Sequence, residues 1–214
     1  MDNYGFCAHW AATQANGAAA RVLDYGCGAG QVVKALRERG LDASGCDVFY
    51  EGGDASRLLD PSFFERGIIR RMNGDAIPFE NASFDFVVNN QVMEHVEDLD
   101  RVLGEIARVL KPDGAVLSLF PDRGVLREGH CGIPFLHWFP KRTRPRVYYA
   151  LALRTLGLGY HTQGKSRLQW SHDFCLWLDD WTHYRSRREI EATYLKHFTE
   201  VEHIEDDWLQ TRLG

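Results

Sequence analysis

The sequence predicts a doubly wound, mostly parallel α/β sheet, followed in its C-terminal half by a helical and loop-rich insertion. Three observations carry this. Strand-like and helix-like patterns alternate from Arg21 to Pro121. A glycine-rich turn, Gly26-x-Gly28-x-Gly30, joins the first strand of that series to its first helix. The alternation then stops near residue 122, where aromatic and basic residues crowd together. Repeated strand–helix alternation implies parallel strands joined by right-handed crossovers, with helices on both faces.

Each element has its own signal. Residues 21–25 form a short apolar strand ending around Asp24. Residues 31–39 place Val32, Val33, Ala35 and Leu36 on one helical face, and Gly40 stops the helix. Residues 41–47 are a second, weaker strand, and 67–73 a third candidate. Phe84, Phe86, Val87 and Val88 make residues 84–89 a buried fourth strand. Val102, Leu103, Ile106, Val109 and Leu110 give residues 99–110 the spacing of an amphipathic helix. Lys111-Pro112-Asp113-Gly114 is expected to end that helix, and 115–120 to form a fifth strand. Residues 122–184 read as loops and short helices laid over the sheet, 187–197 as another helix, and 199–204 as a sixth strand.

Composition narrows the class. The chain has 214 residues, 44% hydrophobic and 26% charged, enough for one packed domain. No apolar run approaches the ~20 residues a membrane span needs, and no repeat period is visible. Met1 to Trp10 lacks a basic start and an apolar stretch, and the five cysteines form an odd set with no C-x-x-C pair; both point to a reducing cytoplasm. The net charge of −5 conceals a basic segment: residues 121–170 hold nine Lys/Arg and two acids, Asp122 and Glu128. This suggests a local surface for an anionic partner.

The glycine turn lies where doubly wound sheets bind ligands, beyond the strand carboxyl ends. Its spacing is G-x-G-x-G, not the G-x-G-x-x-G of dinucleotide sites. Asp24 stands two residues before Gly26. A carboxylate there suits a ligand carrying ammonium and sulfonium groups and would repel a pyrophosphate. Asp24-x-Gly26-x-Gly28-x-Gly30 resembles motif I of class I S-adenosylmethionine-dependent methyltransferases. The similarity continues in register. Asp47 follows Gly30 by 17 residues. Asn73-Gly74-Asp75-Ala76-Ile77-Pro78-Phe79 precedes Ser83-Phe84-Asp85. Asn90-Gln91-Val92-Met93-Glu94-His95-Val96 follows the fourth strand, and Arg108 to Gly114 joins helix to fifth strand. The match covers about residues 20–121 and looks most like the "type 11" small-molecule subgroup.

The resemblance implies a Rossmann-like fold, S-adenosylmethionine (AdoMet) as cofactor, and a set of roles. Asp24, Gly26, Gly28 and Gly30 would shape the methionine and ribose end, with Cys27 and Val48 beside it. Asp47 would hold the ribose, Asp75 the adenine amine, the Ala76 backbone the ring edge, and Asn90 with Gln91 the floor. It also implies one domain, 1–214, in which 20–121 is the cofactor-binding core, 122–184 a lid and acceptor insertion, and 185–214 a terminal helix and strand. A class I sheet usually carries one strand more than is visible here. As a residue type, Cys27 suits packing better than nucleophilic attack, because no base adjoins it in sequence.

Methyl transfer from a sulfonium is an in-line displacement that depends mainly on positioning. A base is needed only for a hydroxyl or a protonated amine. His95, just past the fourth strand, and His130, in Gly129-His130-Cys131-Gly132, are the candidate bases. Gln91-x-x-Glu94-His95 is also similar to the Glu-x-x-Glu-His set, completed by a further His, of some methyltransferases that act on adjacent hydroxyls. In a helix Gln91, Glu94 and His95 would share a face, and His130 could join them. Gln91 stands in place of the first carboxylate, and an amide oxygen binds a hard divalent ion weakly, so no metal is expected.

The acceptor is expected to be a small or lipid-linked metabolite, methylated on oxygen or nitrogen. Residues 132–140 are unusually apolar for a loop, the basic run Lys141-Arg142-Thr143-Arg144-Pro145-Arg146 follows, and 147–158 is again apolar. Such a segment could receive an amphiphile with an anionic head, or rest on an anionic membrane surface through 141–158. A core helix with a solvated basic flank is an equal reading. No nucleic-acid-binding motif is visible. A nicotinamide oxidoreductase is disfavoured by the glycine spacing. A non-catalytic AdoMet-binding protein and an RNA methyltransferase stay open as alternatives.

Overall fold

The computed structural model describes residues 1–49, 55–160 and 164–213. The chain divides into two compact units, one of residues 1–93, 98–120 and 192–214, the other of residues 94–97 and 121–191. The first opens with helix α1 (Asn3–Ala15), which hydrophobic periodicity did not reveal. The Asp2 carboxylate caps it by accepting the Gly5 N–H at 2.8 Å, and Asn16 closes it in the left-handed region. Its buried face is built largely of small residues, Cys7, Ala8 and Ala11, beside Phe6.

There follow β1 (Arg21–Tyr25), α2 (Gln31–Glu38), β2 (Asp42–Asp47), the short helices α3 (Ala55–Leu58) and α4 (Pro61–Glu65), and β3 (Ile69–Arg71). Then come β4 (Phe84–Asn90), α5 (Leu99–Val109) and β5 (Leu110–Leu119). The strands form one parallel sheet in the order β3-β2-β1-β4-β5. In its centre Leu23 lies opposite Ser44 and Val87. Val22, Val33, Leu36, Ala43, Ile69, Val88 and Leu117 make one buried core with the apolar face of α1. Parallel pairing brings the carboxyl ends of β1, β2 and β4 to the same edge of the sheet.

Two expected elements are corrected. The turn at 111–114 does not separate helix from strand: β5 starts at Leu110, opposite Phe84, and its next partners are Phe86 and Ala115, so 111–114 swells out of register as a bulge. Gly114 permits this, since a Cβ there would stand 2.9 Å from the Asp85 carbonyl oxygen and 3.0 Å from that of Lys111. Residues 199–204, expected as a sixth strand, form no strand. Only Val201 and Ile204 are aliphatic among them, too few for a strand buried on both faces.

The second unit holds two helices longer than its sequence suggests, α6 (Arg144–Thr155) and α7 (Arg167–Trp181). Cys131, Ile133, Leu136, Ala150, Trp170, Cys175 and Leu178 form its core. Part of the basic run is tied to α7 here, although only Arg146 is buried. Arg146 is buried against the buried carboxylate of Asp179. The Lys141 ammonium donates to the carbonyls of Asp179 and Thr182, each at 2.7 Å, and the Arg142 guanidinium to Asp180 at 2.7 Å. The cations expected to face an anionic partner are thus in large part the caps and counter-ions of α7.

The chain then forms α8 (Arg187–Tyr194) and α9 (Glu205–Leu213). The Tyr194 hydroxyl donates to Ser118 Oγ at 2.6 Å, and the Trp208 indole N–H to Asn3 Oδ1 at 3.2 Å. Ile204 and Trp208 pack against the sheet's core, the use found for the segment read as a strand.

Arg146→Met should destabilise the protein by about 3–5 kcal/mol in urea unfolding, because Asp179 keeps its burial and loses its counter-ion. Arg146→Met with Asp179→Leu should recover most of that loss.

Candidate functional site

The first cluster of predicted residues gathers where β1, β2 and β4 end. The N–H groups of Gly26 and Cys27 both donate to the Cys46 carbonyl, at 2.8 and 3.1 Å, which folds the loop over the end of β2. Gly26 and Gly30 have φ of +73° and +74°. A Cβ on Gly26 would lie 2.5 Å from the Val92 side chain, and one on Gly30 would lie 2.8 Å from Leu59 and 2.9 Å from Ile69. Both are therefore needed for backbone shape and for close packing. Gly28 donates its N–H to Asp47 Oδ2 at 2.9 Å, while Asp47 Oδ1 accepts the Phe49 N–H at 2.8 Å. Each oxygen of Asp47 retains acceptor capacity beyond these bonds.

Asp24 is buried, and its Oδ2 has no hydrogen-bond partner. Burial, reinforced by the nearby charge of Asp47, pushes its carboxyl up to about 8. Cys27 is also buried, and burial raises its thiol far above the ordinary range. Its side chain lies under the loop, 2.9 Å from the position a Cβ on Gly45 would occupy. That is a packing role, not a nucleophile's.

The remaining members of this group flank the loop. Val48 is exposed, and its carbonyl accepts from Arg71 at 2.9 Å. Asp75 pairs with Arg101 at 3.4 Å, and Ala76 forms a backbone bridge with Asn73. Two residues of α5 hold this segment, and their part was not legible from the sequence. Glu105 accepts the Ile77 N–H at 2.9 Å, and Arg108 donates to the carbonyls of Ile77 and Phe79 at 2.8 and 2.9 Å. Asn90 Oδ1 accepts from Asn3 at 3.1 Å. Gln91 has φ of +57°, and its N–H donates to the Leu119 carbonyl at 2.7 Å. A 3₁₀ turn covers only Met93–His95, so the expected helical face shared by Gln91, Glu94 and His95 does not form.

The second cluster lies within the second unit and unites His95 with His130. Their rings are 5.1 Å apart, with the two Nε2 atoms at 3.3 Å. His95 Nδ1 donates to the Trp181 carbonyl at 2.6 Å, and His130 Nδ1 meets Glu128 Oε1 at 2.7 Å. Trp177 stands edge-on to both rings, 5.1 Å from His130 and 6.2 Å from His95. Glu128 is fully buried and accepts as well from the Cys131 N–H and the Tyr184 hydroxyl, each at 2.8 Å. Burial opposes its charge, but the bonds from His130, Tyr184 and the backbone prevail and hold it at about 2. Glu94 is buried with both carboxylate oxygens unpartnered, and burial pushes it up to about 7. Desolvation draws His95 below the usual imidazole value. From the sequence Tyr184 reads only as lid or packing and Glu128 has no assigned role, although Glu128 is one of only two acids in the basic segment.

The family model for the methyltransferase domain matches residues 23–118. Over that stretch the chain is similar to a methyltransferase domain. Among curated relatives, the chain is 29% identical over 129 residues to a ubiquinone biosynthesis O-methyltransferase of Chelativorans, covering 58% of this chain and 50% of that one. It is 33% identical over 116 residues to a malonyl-[acyl-carrier protein] O-methyltransferase of Methylovorus, covering 47% and 37%. The chain thus spans about half the length, or less, of these relatives. A solved S-adenosylmethionine-dependent methyltransferase of Mesorhizobium loti shares the fold, with a TM-score of 0.56 at 17% identity over 96% of this chain and 89% of that one.

A methyltransferase domain implies AdoMet, and the first cluster fits it. Two carboxylates converge on a loop with glycine at every other position, and the inner one has an unsatisfied oxygen that a cationic ligand would relieve. Because the folded-state value of Asp24 is raised, the stability it contributes is complete below about pH 4 and is lost as the pH rises through about 8. Thermal melts of the unliganded protein should show this decline. Asp24→Asn should flatten it and should raise the melting temperature at pH 8.

Proposed function

We propose that the protein is an AdoMet-dependent methyltransferase that acts on a hydroxyl oxygen of a small or lipid-linked biosynthetic metabolite in the cytoplasm. The observation that carries this reading is the pair Asp24 and Asp47 at the glycine loop. The names of the relatives, O-methyltransferases of ubiquinone biosynthesis and of malonyl-[acyl-carrier protein], support oxygen as the acceptor atom.

When bound, AdoMet supplies a methyl group on a positively charged sulfur. The chain's own part is to bind and orient. Asp24 and the backbone of Gly26, Cys27, Gly28 and Gly30 would hold the methionine end, and Asp47, with Val48 beside it, the ribose. Asp75 and Ala76 would meet the adenine, on a segment fixed by Glu105 and Arg108, and Asn90 and Gln91 would form the floor. His95 and His130 are the acceptor-side groups. Their Nδ1 atoms are engaged, so the proton of an acceptor hydroxyl would be drawn through the facing Nε2 pair.

The second unit supports an acceptor with an apolar portion. Arg144, Val147, Tyr148, Leu168, Gln169 and His172 line an open groove of about 450 Å³ along α6 and α7. Against an RNA substrate stand the burial of Arg146 and the bonds that tie the exposed Lys141 and Arg142 to the end of α7.

Calorimetry should detect AdoMet binding and no NAD binding. Asp47→Ala should weaken AdoMet by about 1.5–3 kcal/mol, the scale of a charged hydrogen bond. Gly28→Val should remove binding from a folded protein. Methyl transfer from labelled AdoMet should appear with hydroxylated aromatic acceptors, short-chain or prenylated. NAD binding in place of AdoMet would refute the reading.

A further inference from the structure

We propose that Glu94, His95 and His130 form a site for a first-row divalent transition-metal ion, with Zn²⁺ the best match to the donors. The argument begins with the histidine tautomers. His95 Nδ1 faces the Trp181 carbonyl oxygen at 2.6 Å, and a carbonyl can only accept, so Nδ1 carries the hydrogen. His130 Nδ1 faces Glu128 Oε1 at 2.7 Å and likewise donates. In the neutral imidazoles each Nε2 is then a bare lone pair, and the structure sets the two nitrogens 3.3 Å apart. Two such acceptors held at that distance need something positive between them, a shared proton or a metal ion, and the third donor beside them points to the ion.

The separation itself names a geometry. Bonds of about 2.0–2.1 Å to imidazole nitrogen at the tetrahedral angle put two donor atoms about 3.3–3.4 Å apart. The third donor is Glu94. One ligand atom from each of Glu94, His95 and His130 lies within 4.8 Å of the others, and both Glu94 oxygens are buried without a partner. An unpaired buried carboxylate beside two converging ring nitrogens is an arrangement that a cation would relieve.

The surroundings have the features of a metal site. Glu128 orients His130 through Nδ1 and is itself fixed by Tyr184 and the Cys131 N–H, the carboxylate–histidine arrangement that raises ligand basicity. Glu128 is therefore a positioning residue. The His183 N–H holds the Glu94 carbonyl at 2.6 Å, and Arg185 holds those of Val96 and Glu97 at 2.7 Å, so the peptide bearing two of the ligands is fixed. Trp177 supplies an apolar wall against both rings. Two imidazoles and one carboxylate suit a borderline ion such as Zn²⁺ better than Mg²⁺ or Ca²⁺, which take oxygen donors. Gln91, whose amide argued against a metal, is not needed: its side-chain nitrogen is directed to the Leu119 carbonyl at 3.3 Å. Three protein ligands leave one tetrahedral position open. On the methyltransferase reading, that position would bind the acceptor's oxygen, and the ion would replace the two Nε2 atoms in their role above, lowering the hydroxyl's pKa so that its proton passes to water.

The test measures metal uptake alone, so it stands apart from any failure of methyl transfer. Untagged full-length protein, stripped with chelator, is titrated with Co²⁺ and then displaced with Zn²⁺. We expect one equivalent, with the visible bands of tetrahedral Co²⁺, abolished by Zn²⁺. Glu94→Gln and His130→Asn should each weaken uptake at least 100-fold, and Glu128→Gln about 10- to 100-fold, with circular dichroism unchanged. His9→Ala, an exposed histidine of α1, should bind as the wild type does. If a variant fails to fold, a wild-type X-ray absorption spectrum that shows two imidazoles and one carboxylate on Zn²⁺ serves instead. Wild-type protein that takes up no equivalent, or uptake indifferent to Glu94→Gln in a folded variant, overturns the proposal.

Discussion

The end of β2 governs the cofactor side of this protein. The Cys46 carbonyl receives two loop N–H groups, from Gly26 and Cys27, and Asp47 receives a third from Gly28. Three hydrogen bonds therefore tie the first crossover loop to the neighbouring strand rather than leaving it to its own turn geometry. They require β1 and β2 to be parallel and in their observed register, with Tyr25 opposite Cys46. A slip of one residue would turn Asp47 to the other face of the sheet and release the loop. Fold and site are set by the same contacts.

Both clusters bury a carboxyl group that lacks a partner, by different means. At the glycine loop, Asp24 is desolvated and faces the field of Asp47. In the second unit, Glu128 is stabilised by its donors while Glu94, equally buried, has none for its side chain. Buried unpaired carboxylates lower stability, and a fold retains them where a ligand compensates the cost. Two such carboxylates in one small chain argue for two separate positive guests.

Elements with strong local signals were legible before the structure. β1, β4 and α5 rest on apolar runs or a full helical period, and the glycine loop on the spacing of Gly26, Gly28 and Gly30. α1 was missed because Ala8 and Ala11 bury a face without raising hydrophobic contrast. Residues 199–204 were misread because their alternation looks strand-like locally, while the packing of Ile204 and Trp208 is a property of the whole core. In the site, residue types with a chemical reputation stood out: Asp24, Asp47, His95 and His130. The residues that fix them did not. Glu105 meets Ile77 across 28 positions, and Tyr184 meets Glu128 across 56, so no window of sequence contains either pair.

The division of the chain has a consequence for engineering. The second unit is not a single insertion after β5, because it also claims residues 94–97, a four-residue peptide flanked on both sides by the first unit. Anyone exchanging this unit for that of another scaffold must carry the short peptide as well. A chimera cut only at 121 and 191 would inherit His130, Glu128 and Tyr184 while leaving Glu94 and His95 to the host. Recombination during evolution faces the same barrier: half of the histidine pair travels with one genetic segment and half with another, so the two must diverge in step.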